Sequence, residues 1–254
     1  MESTDPILRL SGVETTLEGR KVLDGVDLDI PRGRITAIIG LSGAGKSVLL
    51  KHMIGLMKPG RGRITVDGAD INRLPKRKLY EIRRRFGMLF QSGALFDSLN
   101  VYDNVAFPLR EKTELGEEAI REKVVGILRT VGLENAQGKY PSELSGGMVR
   151  RVALARAVVM SPEIILLDEP TTGLDPIIRT SILNLIWTTH EKFRFTMVMV
   201  SHDIPDIFRY CHHVVVVNGG KIIEVGPPEQ IRDTINPFVH QLLDGDLSGP
   251  LHLA

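Results

Sequence analysis

The sequence has little of what marks a secreted, disulfide-stabilised or membrane-spanning protein. Its 254 residues include a single cysteine, Cys211, so no disulfide can form within the chain. We expect Cys211 to be a buried thiol in a reducing compartment. The N-terminus lacks a basic segment followed by an apolar one, so we expect no secretory signal. No apolar run approaches the ~18–20 residues of a membrane-spanning helix, so we expect any membrane contact to go through another chain.

The sequence also lacks an excess of charge of either sign. It contains 32 lysine and arginine residues and 31 aspartate and glutamate residues, a net charge of +1. A general polyanion-binding protein would carry a basic excess, so we expect no nucleic-acid partner. The segment 73–85 is a local exception, with seven basic residues and one acid, Glu81. This pattern predicts a solvated helix face, with contact to anionic lipid headgroups as the alternative.

Short apolar runs rich in valine and isoleucine predict buried strands. Helical patterns between several of them indicate an α/β fold, a mostly parallel sheet with helices packed on it. An Asn-Gly-Gly turn at 218–220 supplies the positive φ of a tight connection and predicts a hairpin, an antiparallel β part of the fold. The predicted strands are residues 35–39, 64–66, 164–167, 197–200 and 214–217, with 221–225 completing the hairpin.

The middle of the chain has helical rather than strand periodicity. Apolar residues of the segment 117–131 fall on one face, Gly132 follows as a helix terminator, and a second helix is predicted over 146–160. We therefore predict a single domain in which a helical subdomain is inserted into an α/β core. The core spans about 1–91 and 161–226, the subdomain about 92–160 and a C-terminal extension about 227–254. The end after Asp244 is predicted to be an interaction arm or a disordered end.

The segment after the predicted strand 35–39 fits the phosphate-binding P-loop pattern G-x-x-x-x-G-K-[ST] in full and precedes a helix-like run. Its glycines let the backbone wrap closely around phosphate, and the helix N-terminus that follows favours negative charge. Lys46 should reach the β- and γ-phosphates, and the Ser47 hydroxyl should bind Mg²⁺. The loop consists of Gly40, Leu41, Ser42, Gly43, Ala44, Gly45, Lys46 and Ser47.

Two acidic residues, Asp168 and Glu169, end the predicted strand 164–167. Ligands of α/β proteins bind at the carboxyl edge of the parallel sheet. Beside a P-loop, Asp168 is therefore predicted to hold Mg²⁺, and Glu169 is the candidate general base that activates the attacking water. Without a P-loop, two such acids would indicate only the start of a polar loop.

A second glycine-rich helix start lies further along the chain. Ser145 can cap this helix, and Gly146 and Gly147 expose its N–H groups to an anion. The run 144–148 resembles the signature of ATP-binding-cassette (ABC) ATPases, with Met148 in place of the usual glutamine.

Three further residues follow in the order of the same family. Gln91 follows an apolar run as the family's Q-loop does, Asp175 lies at the D-loop position, and His202 follows the strand 197–200 as the switch histidine does. The resemblance extends from about residue 8 to about residue 226 and implies the fold of a P-loop NTPase of ABC type.

The resemblance also implies how the site works. ATP and Mg²⁺ would be the cofactors, Glu169, His202 and Gln91 the catalytic residues, and Ser47, Gln91 and Asp168 the residues around the metal. A second copy of the chain would pack head to tail, so that each ATP lies between Lys46 of one copy and Ser145 of the other. The residues that contact the nucleotide from this second side would be Ser145, Gly146, Gly147 and Asp175.

One stretch departs from the family pattern. The family usually stacks adenine on an aromatic residue upstream of the P-loop, whereas residues 13–16 read Val-Glu-Thr-Thr here. The departure concerns the base and leaves the predicted phosphate contacts unchanged.

The segments 92–96 and 104–111 resemble the ATPases of MCE-type phospholipid transport systems. This implies ATP-driven transport of phospholipid between the inner and outer membranes, from the cytoplasmic face of the inner membrane. The implied partners are a lipid permease, an MCE-domain protein and, as a further candidate, a STAS-domain protein. Leu95, Phe96, Phe107 and Leu109 are predicted either to contact the permease or to belong to the helical core.

Two alternative functions share the catalytic motifs. An ATPase for polar amino-acid uptake would differ mainly over residues 92–111, where the family contacts its permease. A non-transport ABC protein acting on DNA or the ribosome generally carries long coiled coils, zinc-binding cysteines or tandem ATPase domains. This sequence has one P-loop, one cysteine and no heptad array, which disfavours the second alternative.

Overall fold

The structure is a computed structural model that describes residues 5–204, 206–246 and 248–250. These residues form two compact units of helices and strands. The first unit contains the described residues up to Arg83 and from Thr196 onward, and the second contains Arg84 to Phe195.

Strands and helices are numbered in chain order. The strands are β1 (Leu8–Leu17), β2 (Arg20–Ile30), β3 (Ile35–Ile39), β4 (Arg61–Val66), β5 (Ala69–Asp70), β6 (Phe86–Leu89), β7 (Ile164–Asp168), β8 (Thr196–Val200), β9 (His213–Asn218) and β10 (Lys221–Gly226). The α-helices are α1 (Lys46–Met53), α2 (Lys76–Arg84), α3 (Val101–Lys112), α4 (Glu117–Thr130), α5 (Gly146–Val158), α6 (Pro176–Phe193), α7 (Pro228–Arg232) and α8 (Pro237–Asp244). Single 3₁₀ turns cover Pro141–Glu143 and Asp206–Tyr210.

In the first unit, β3 lies between β8 and β9 and is parallel to both. Ile38 is paired with Val200 on one side and Val215 on the other. All five residues of β3 and all five of β8 are buried, which explains their continuous apolar sequence. The hairpin of β9 and β10 is antiparallel, and Gly219 and Gly220 have the predicted positive φ. The predicted parallel strands and hairpin of this unit are therefore confirmed.

The antiparallel sheet of the first unit is larger than the sequence analysis predicted. Its strand order is β2–β1–β4–β5, whereas only residues 64–66 had been predicted as a strand there. In β2 the buried Val26, Leu28 and Ile30 alternate with the exposed Asp27 and Asp29. This alternation is typical of a sheet with one buried face, and a search for continuous apolar runs does not detect it.

The second unit combines a parallel strand pair with helices. Strand β6, which was not predicted, pairs with β7 so that Leu89 lies beside Leu167. Helix α4 ends next to Gly132, whose φ is 70°, in agreement with its predicted role as terminator. Residues 92–160, all of which the structure describes, contain no strand, as predicted, but they contain α3, which was not predicted. Their assignment to a separate subdomain stays a prediction.

The four apolar residues proposed for contact with a permease fall into different environments. Leu109 is buried in the core formed by α3, α4 and α5, so it is not available to a partner. Leu95 is partly buried and packs against the same core. Phe96 and Phe107 are 43% and 37% exposed, and their ring centroids are 4.7 Å apart. Only this aromatic pair therefore remains as a candidate contact surface.

The basic segment 73–85 and the C-terminal extension both contain helices. Most of the basic segment 73–85 forms α2, none of whose residues is buried, so both the solvated helix face and the contact with anionic headgroups stay predictions. Helices α7 and α8 cover much of the C-terminal extension, and the tail beyond them is described only at residues 245–246 and 248–250. Within the described residues, no helix is long and apolar enough to cross a bilayer.

A buried asparagine holds the start of α3 in place. The Asn104 amide nitrogen donates to the carbonyl oxygens of Phe96, Leu99 and Asn100 at 3.1, 2.8 and 3.0 Å. Its amide oxygen accepts from the Phe96 N–H at 2.8 Å. Asn104 is fully buried, so water does not replace the hydrogen bonds that its side chain makes to these backbone groups.

We expect Asn104→Ala to lower the free energy of unfolding by about 2–4 kcal/mol, because it leaves buried polar groups unpaired. Urea denaturation of the purified protein measures this change. Asn135→Ala, at an exposed position of the same unit, is the matched control and should cost less than about 0.5 kcal/mol. An equal loss in both variants would contradict the role of Asn104.

Candidate functional site

The P-loop leaves β3 in a path that two glycines make possible. Gly40 has a φ of 151°, and a Cβ at this position would lie 2.1 Å from the carbonyl oxygen of Val217. Gly45 caps α1 with a φ of 99°, and its Cβ would lie 2.8 Å from the carbonyl oxygen of Val22. Any side chain at either position would collide with backbone atoms, so the loop requires glycine at both.

The start of α1 gathers groups suited to phosphate. The first-turn N–H groups have no partner within the helix, and no acidic residue lies in that turn. Lys46 is 6% exposed, and its ammonium donates to the carbonyl oxygens of Gly40 and Leu41, both at 2.8 Å. Ser47 is half-buried beside it. Backbone donors, a cation and a hydroxyl therefore meet at one helix N-terminus, which is the composition of an anion site.

Most of the remaining loop residues and His202 lie at the same end of this unit. Ser42 and Gly43 are exposed, and Ala44 is buried. Because β8 is parallel to β3, its carboxyl end lies at the edge where the P-loop begins. Ser201 follows β8 and is buried, and His202 is exposed beside it. The structure thus places the P-loop and His202 at one edge of the first unit.

In the second unit, β6 and β7 bring two predicted residues together. Asp168 ends β7 and is buried, and Glu169 follows it in the left-handed region with a φ of 48°. Gln91, two residues beyond β6, is on the same edge because the strands are parallel. Its side-chain nitrogen donates to Oε2 of Glu169 at 3.3 Å.

Sequence analysis missed a second residue that holds Glu169. The Thr172 hydroxyl donates to the same Oε2 at 2.7 Å. The Thr172 carbonyl oxygen in turn accepts from Arg150 at 3.1 Å. The guanidinium of Arg150 is partly buried, and burial lowers its pKa. The signal in the sequence was a hydroxyl-bearing residue three positions after an acidic residue, a spacing too common to single out without the fold.

The glycine-rich start of α5 has the predicted capping geometry. Ser145 is exposed, and its hydroxyl accepts from the Met148 N–H at 3.3 Å. A Cβ on Gly147 would lie 2.7 Å from Ile178, and a Cβ on Gly146 would lie 3.2 Å from Leu174. The absence of side chains at both glycines therefore lets the signature segment pack closely against the start of α6.

Asp175 forms that start of α6. Its carboxylate accepts from the N–H groups of Ile177 and Ile178 at 3.1 and 3.0 Å. Ile177 is 81% exposed and Ile178 is 37% exposed. The structure therefore brings the signature segment and Asp175 together on one exposed surface of the second unit that includes two isoleucines.

The stretch that lacks the usual aromatic residue belongs to β1. Val13 is buried, and the buried Thr15 hydroxyl lies 2.8 Å from Nε2 of His52. Burial lowers the pKa of His52, which favours the neutral ring in this pair. Val13 and Thr15, two of the four residues at 13–16, are therefore part of the interior of the first unit.

Comparison with known proteins establishes the class of protein. A family model described as ABC transporter matches residues 23–172. The chain belongs to this family and is an ATPase whose hydrolysis of ATP is coupled to transport.

Individual proteins and solved structures are similar to this chain over most of its length. MlaF, the ATP-binding protein of the intermembrane phospholipid transport system of Haemophilus influenzae, is 46% identical over 91% of this chain and 88% of its own length. The probable ribonucleotide transport ATP-binding protein mkl of Mycobacterium leprae is 40% identical over 97% of this chain and 71% of its own length. A dimeric post-hydrolysis state of the ATP-binding cassette MJ0796 with ADP and phosphate has a TM-score of 0.80 and 32% identity, covering 87% of this chain and 98% of that one.

The contact between Thr172 and Glu169 is open to a direct test. We expect Thr172→Val to lower kcat for ATP hydrolysis about 10- to 100-fold, because the carboxylate loses its shorter hydrogen bond and moves. The KM for ATP should change little, and Thr172→Ser should restore most of the rate. Steady-state kinetics of the wild type and of the two variants measure both constants. A valine variant with wild-type kcat would show that the hydroxyl does not position Glu169.

Proposed function

We propose that the chain powers the transport of phospholipid between the inner and outer membranes of a double-membraned bacterium. The observation that carries this proposal is the 46% identity with the phospholipid-transport protein MlaF over 91% of the chain. The segments 92–96 and 104–111, which resemble the same group of ATPases, support it. The name of the mkl relative, which is 40% identical, refers to ribonucleotide transport, so the cargo needs its own test.

We propose that Lys46 and the N–H groups of the P-loop bind the ATP phosphates. The contacts of Gly40 and Gly45, which leave no room for a Cβ, fit a loop whose backbone approaches a ligand closely. Ser42, Gly43 and Ala44 complete the loop.

Mg²⁺ would be bound mainly by the nucleotide and by few protein groups. The Ser47 hydroxyl, the Asp168 carboxylate and the Gln91 amide are oxygen donors of the kind that Mg²⁺ prefers. In the part of the chain that the structure describes, no cluster of three or more histidine, cysteine, aspartate or glutamate side chains could hold a metal. This fits Mg²⁺, which keeps several waters and is usually held through substrate phosphates. The ion would neutralise the charge that develops on the phosphates.

Glu169 is proposed as the general base. It takes a proton from a water, whose oxygen bonds to the γ-phosphorus as the bond from that phosphorus to the bridging oxygen of ADP breaks. The hydrogen bonds from Thr172 and Gln91 go to a single oxygen, Oε2. They fix the orientation of the carboxylate. His202 is the proposed partner of the γ-phosphate.

A second copy of the chain is proposed to complete each site. Ser145, Gly146, Gly147 and Asp175 would contact the ATP held by the P-loop of the other copy. The dimeric form of the MJ0796 cassette supports this assembly. So does the exposure of Ile177 and Ile178 beside Asp175, because isoleucines so exposed are typical of a surface that a partner covers.

The membrane partners would be a lipid permease, an MCE-domain protein and a STAS-domain protein, with the chain on the cytoplasmic face of the inner membrane. Phe96 and Phe107 form the candidate contact with the permease. Arg156 of α5 holds the segment before Phe96, since it donates to the carbonyl oxygens of Gly93 and Ala94 at 2.9 and 2.8 Å. The segment that leads from Gln91 to Phe96 is therefore hydrogen-bonded to α5, the helix that begins at the signature segment.

We expect Glu169→Gln to bind ATP but to hydrolyse it about 10²–10⁴-fold more slowly, because the amide cannot accept the proton of water. Nucleotide-binding titrations and ATPase kinetics on the same preparation separate the two effects. Hydrolysis near the wild-type rate would exclude Glu169 as the base.

We expect Phe96→Asp to remove the protein from the membrane fraction while ATP binding persists, because a carboxylate at an apolar contact would be desolvated without a partner. Leu115→Asp, at a similarly exposed apolar residue of the same unit, is the matched control and should stay membrane-associated. Retention of the Phe96 variant would exclude the aromatic pair as the contact.

The complex isolated from wild-type cells tests the cargo. It should contain a lipid permease, an MCE-domain protein and bound phospholipid. An amino-acid permease without an MCE-domain protein would overturn the phospholipid proposal and leave the membership of the ABC family unchanged.

A further inference from the structure

A pocket of about 540 Å³ opens at the edge of the first unit opposite the P-loop. It lies where β3 and β9 begin, because its lining includes Arg34, which precedes β3, and His213, which starts β9. The P-loop follows the other end of β3. The pocket therefore cannot be part of the nucleotide site, and its volume is within the usual range for small-molecule sites.

The lining of this pocket is strongly basic. Arg34, Arg209 and Arg232 all contribute to it, together with His212 and His213, against a single acid, Glu229. This composition contrasts with the near-neutral chain as a whole. Guanidinium groups that converge on one cavity favour an anion, and their planar donors match phosphate oxygens in particular.

Two of the arginines form no ion pair with a described carboxylate. Within residues 5–204, 206–246 and 248–250, neither Arg209 nor Arg232 forms an ion pair, whereas Arg9, Arg85 and Arg110 each do so. Arg232 instead lies 5.3 Å from the centre of the Phe208 ring, which holds its guanidinium at the pocket wall.

The histidines add donors to the same wall. Nδ1 of His212 accepts the N–H of Ile35 at 3.0 Å, so the ring proton is on Nε2, which can donate. Burial and the nearby Arg34 lower the pKa of His213. The Cys211 thiol beside them is buried, which raises its pKa to about 12 and keeps it neutral. A bound anion would oppose the effect of Arg34 on His213.

We propose that this pocket binds the phosphate group of a small anion, with Arg34, Arg209 and Arg232 as the cationic donors. The phosphate belongs either to a soluble phosphate ester or to an anionic lipid headgroup, and both present anionic phosphate oxygens to the arginines. The site is independent of the cargo and of the roles proposed for Glu169 and the P-loop.

Titration of the full-length protein with sodium pyrophosphate, followed through the histidine ring resonances, tests the proposal. His212 and His213 should shift in a saturable way, and the pKa of His213 should rise because a nearby anion stabilises the imidazolium. His202 lies at the opposite edge and reports binding at the P-loop separately. Shifts confined to His202 would overturn the proposal.

Arginine variants establish specificity. Arg209→Gln combined with Arg232→Gln should weaken pyrophosphate binding about 100-fold, because each charge-assisted hydrogen bond contributes roughly a factor of ten or more. Arg77→Gln combined with Lys78→Gln removes the same charge from the exposed α2 and should leave the affinity unchanged. Equal weakening in both double variants would show that the affinity depends only on net charge, and it would overturn the proposed site. Arg209→Gln alone, which leaves the Phe208 contact intact, should still weaken binding about tenfold.

The source of the phosphate is resolved with vesicles. Sedimentation of the wild type, but not of the arginine double variant, with phosphatidic acid vesicles would identify the phosphate as a lipid headgroup. Binding of pyrophosphate that shifts His212 and His213, with no such sedimentation, would identify a soluble ligand. Phosphatidylcholine vesicles, which have no net charge, should sediment neither protein. Failure of the wild type to bind either pyrophosphate or phosphatidic acid would exclude the proposal.

Discussion

The parallel pairing of β3 with β8 and β9 is the constraint on which the nucleotide-binding part of the first unit depends. The pairing aligns the carboxyl ends of β3 and β8, so the P-loop and His202 emerge at one edge. It also presses the start of the P-loop against β9, because Gly40 lies where any Cβ would meet the Val217 carbonyl. The apolar sequence of these strands and the glycines of the loop are thus two consequences of one packing arrangement.

Helix α5 has a comparable role in the second unit. Ser145 caps its exposed start, while two of its arginines bind loops on either side of the proposed base. Arg150 holds the carbonyl oxygen of Thr172, and Arg156 holds the segment after Gln91. The helix is therefore hydrogen-bonded both to the turn that contains Thr172 and to the segment that precedes the aromatic pair. One helix thus connects the proposed general base with the proposed partner contact.

The parts of this structure that could be predicted from sequence are those with dense local signals. Continuous apolar runs predicted β3, β7, β8 and β9, and the complete P-loop pattern predicted the glycine-rich turn between β3 and α1. Strands β1 and β2 alternate apolar and polar residues along a half-buried sheet, a pattern that a search for continuous apolar runs does not detect. The burial of Leu109 follows from the packing of α3 on α4 and α5, which local sequence does not reveal. The bond from Thr172 to Glu169 depends on a turn whose geometry is not encoded in residue spacing.

The backbone of Glu169 has a further consequence. A residue with a side chain in the left-handed region costs roughly 1–2 kcal/mol compared with glycine, and Glu169 adopts this conformation with a φ of 48°. The chain therefore accepts strain at the position where it places its proposed base. Selection for folding alone would favour glycine there, so the residue at this position reflects a compromise between backbone stability and the role proposed for Glu169 in hydrolysis.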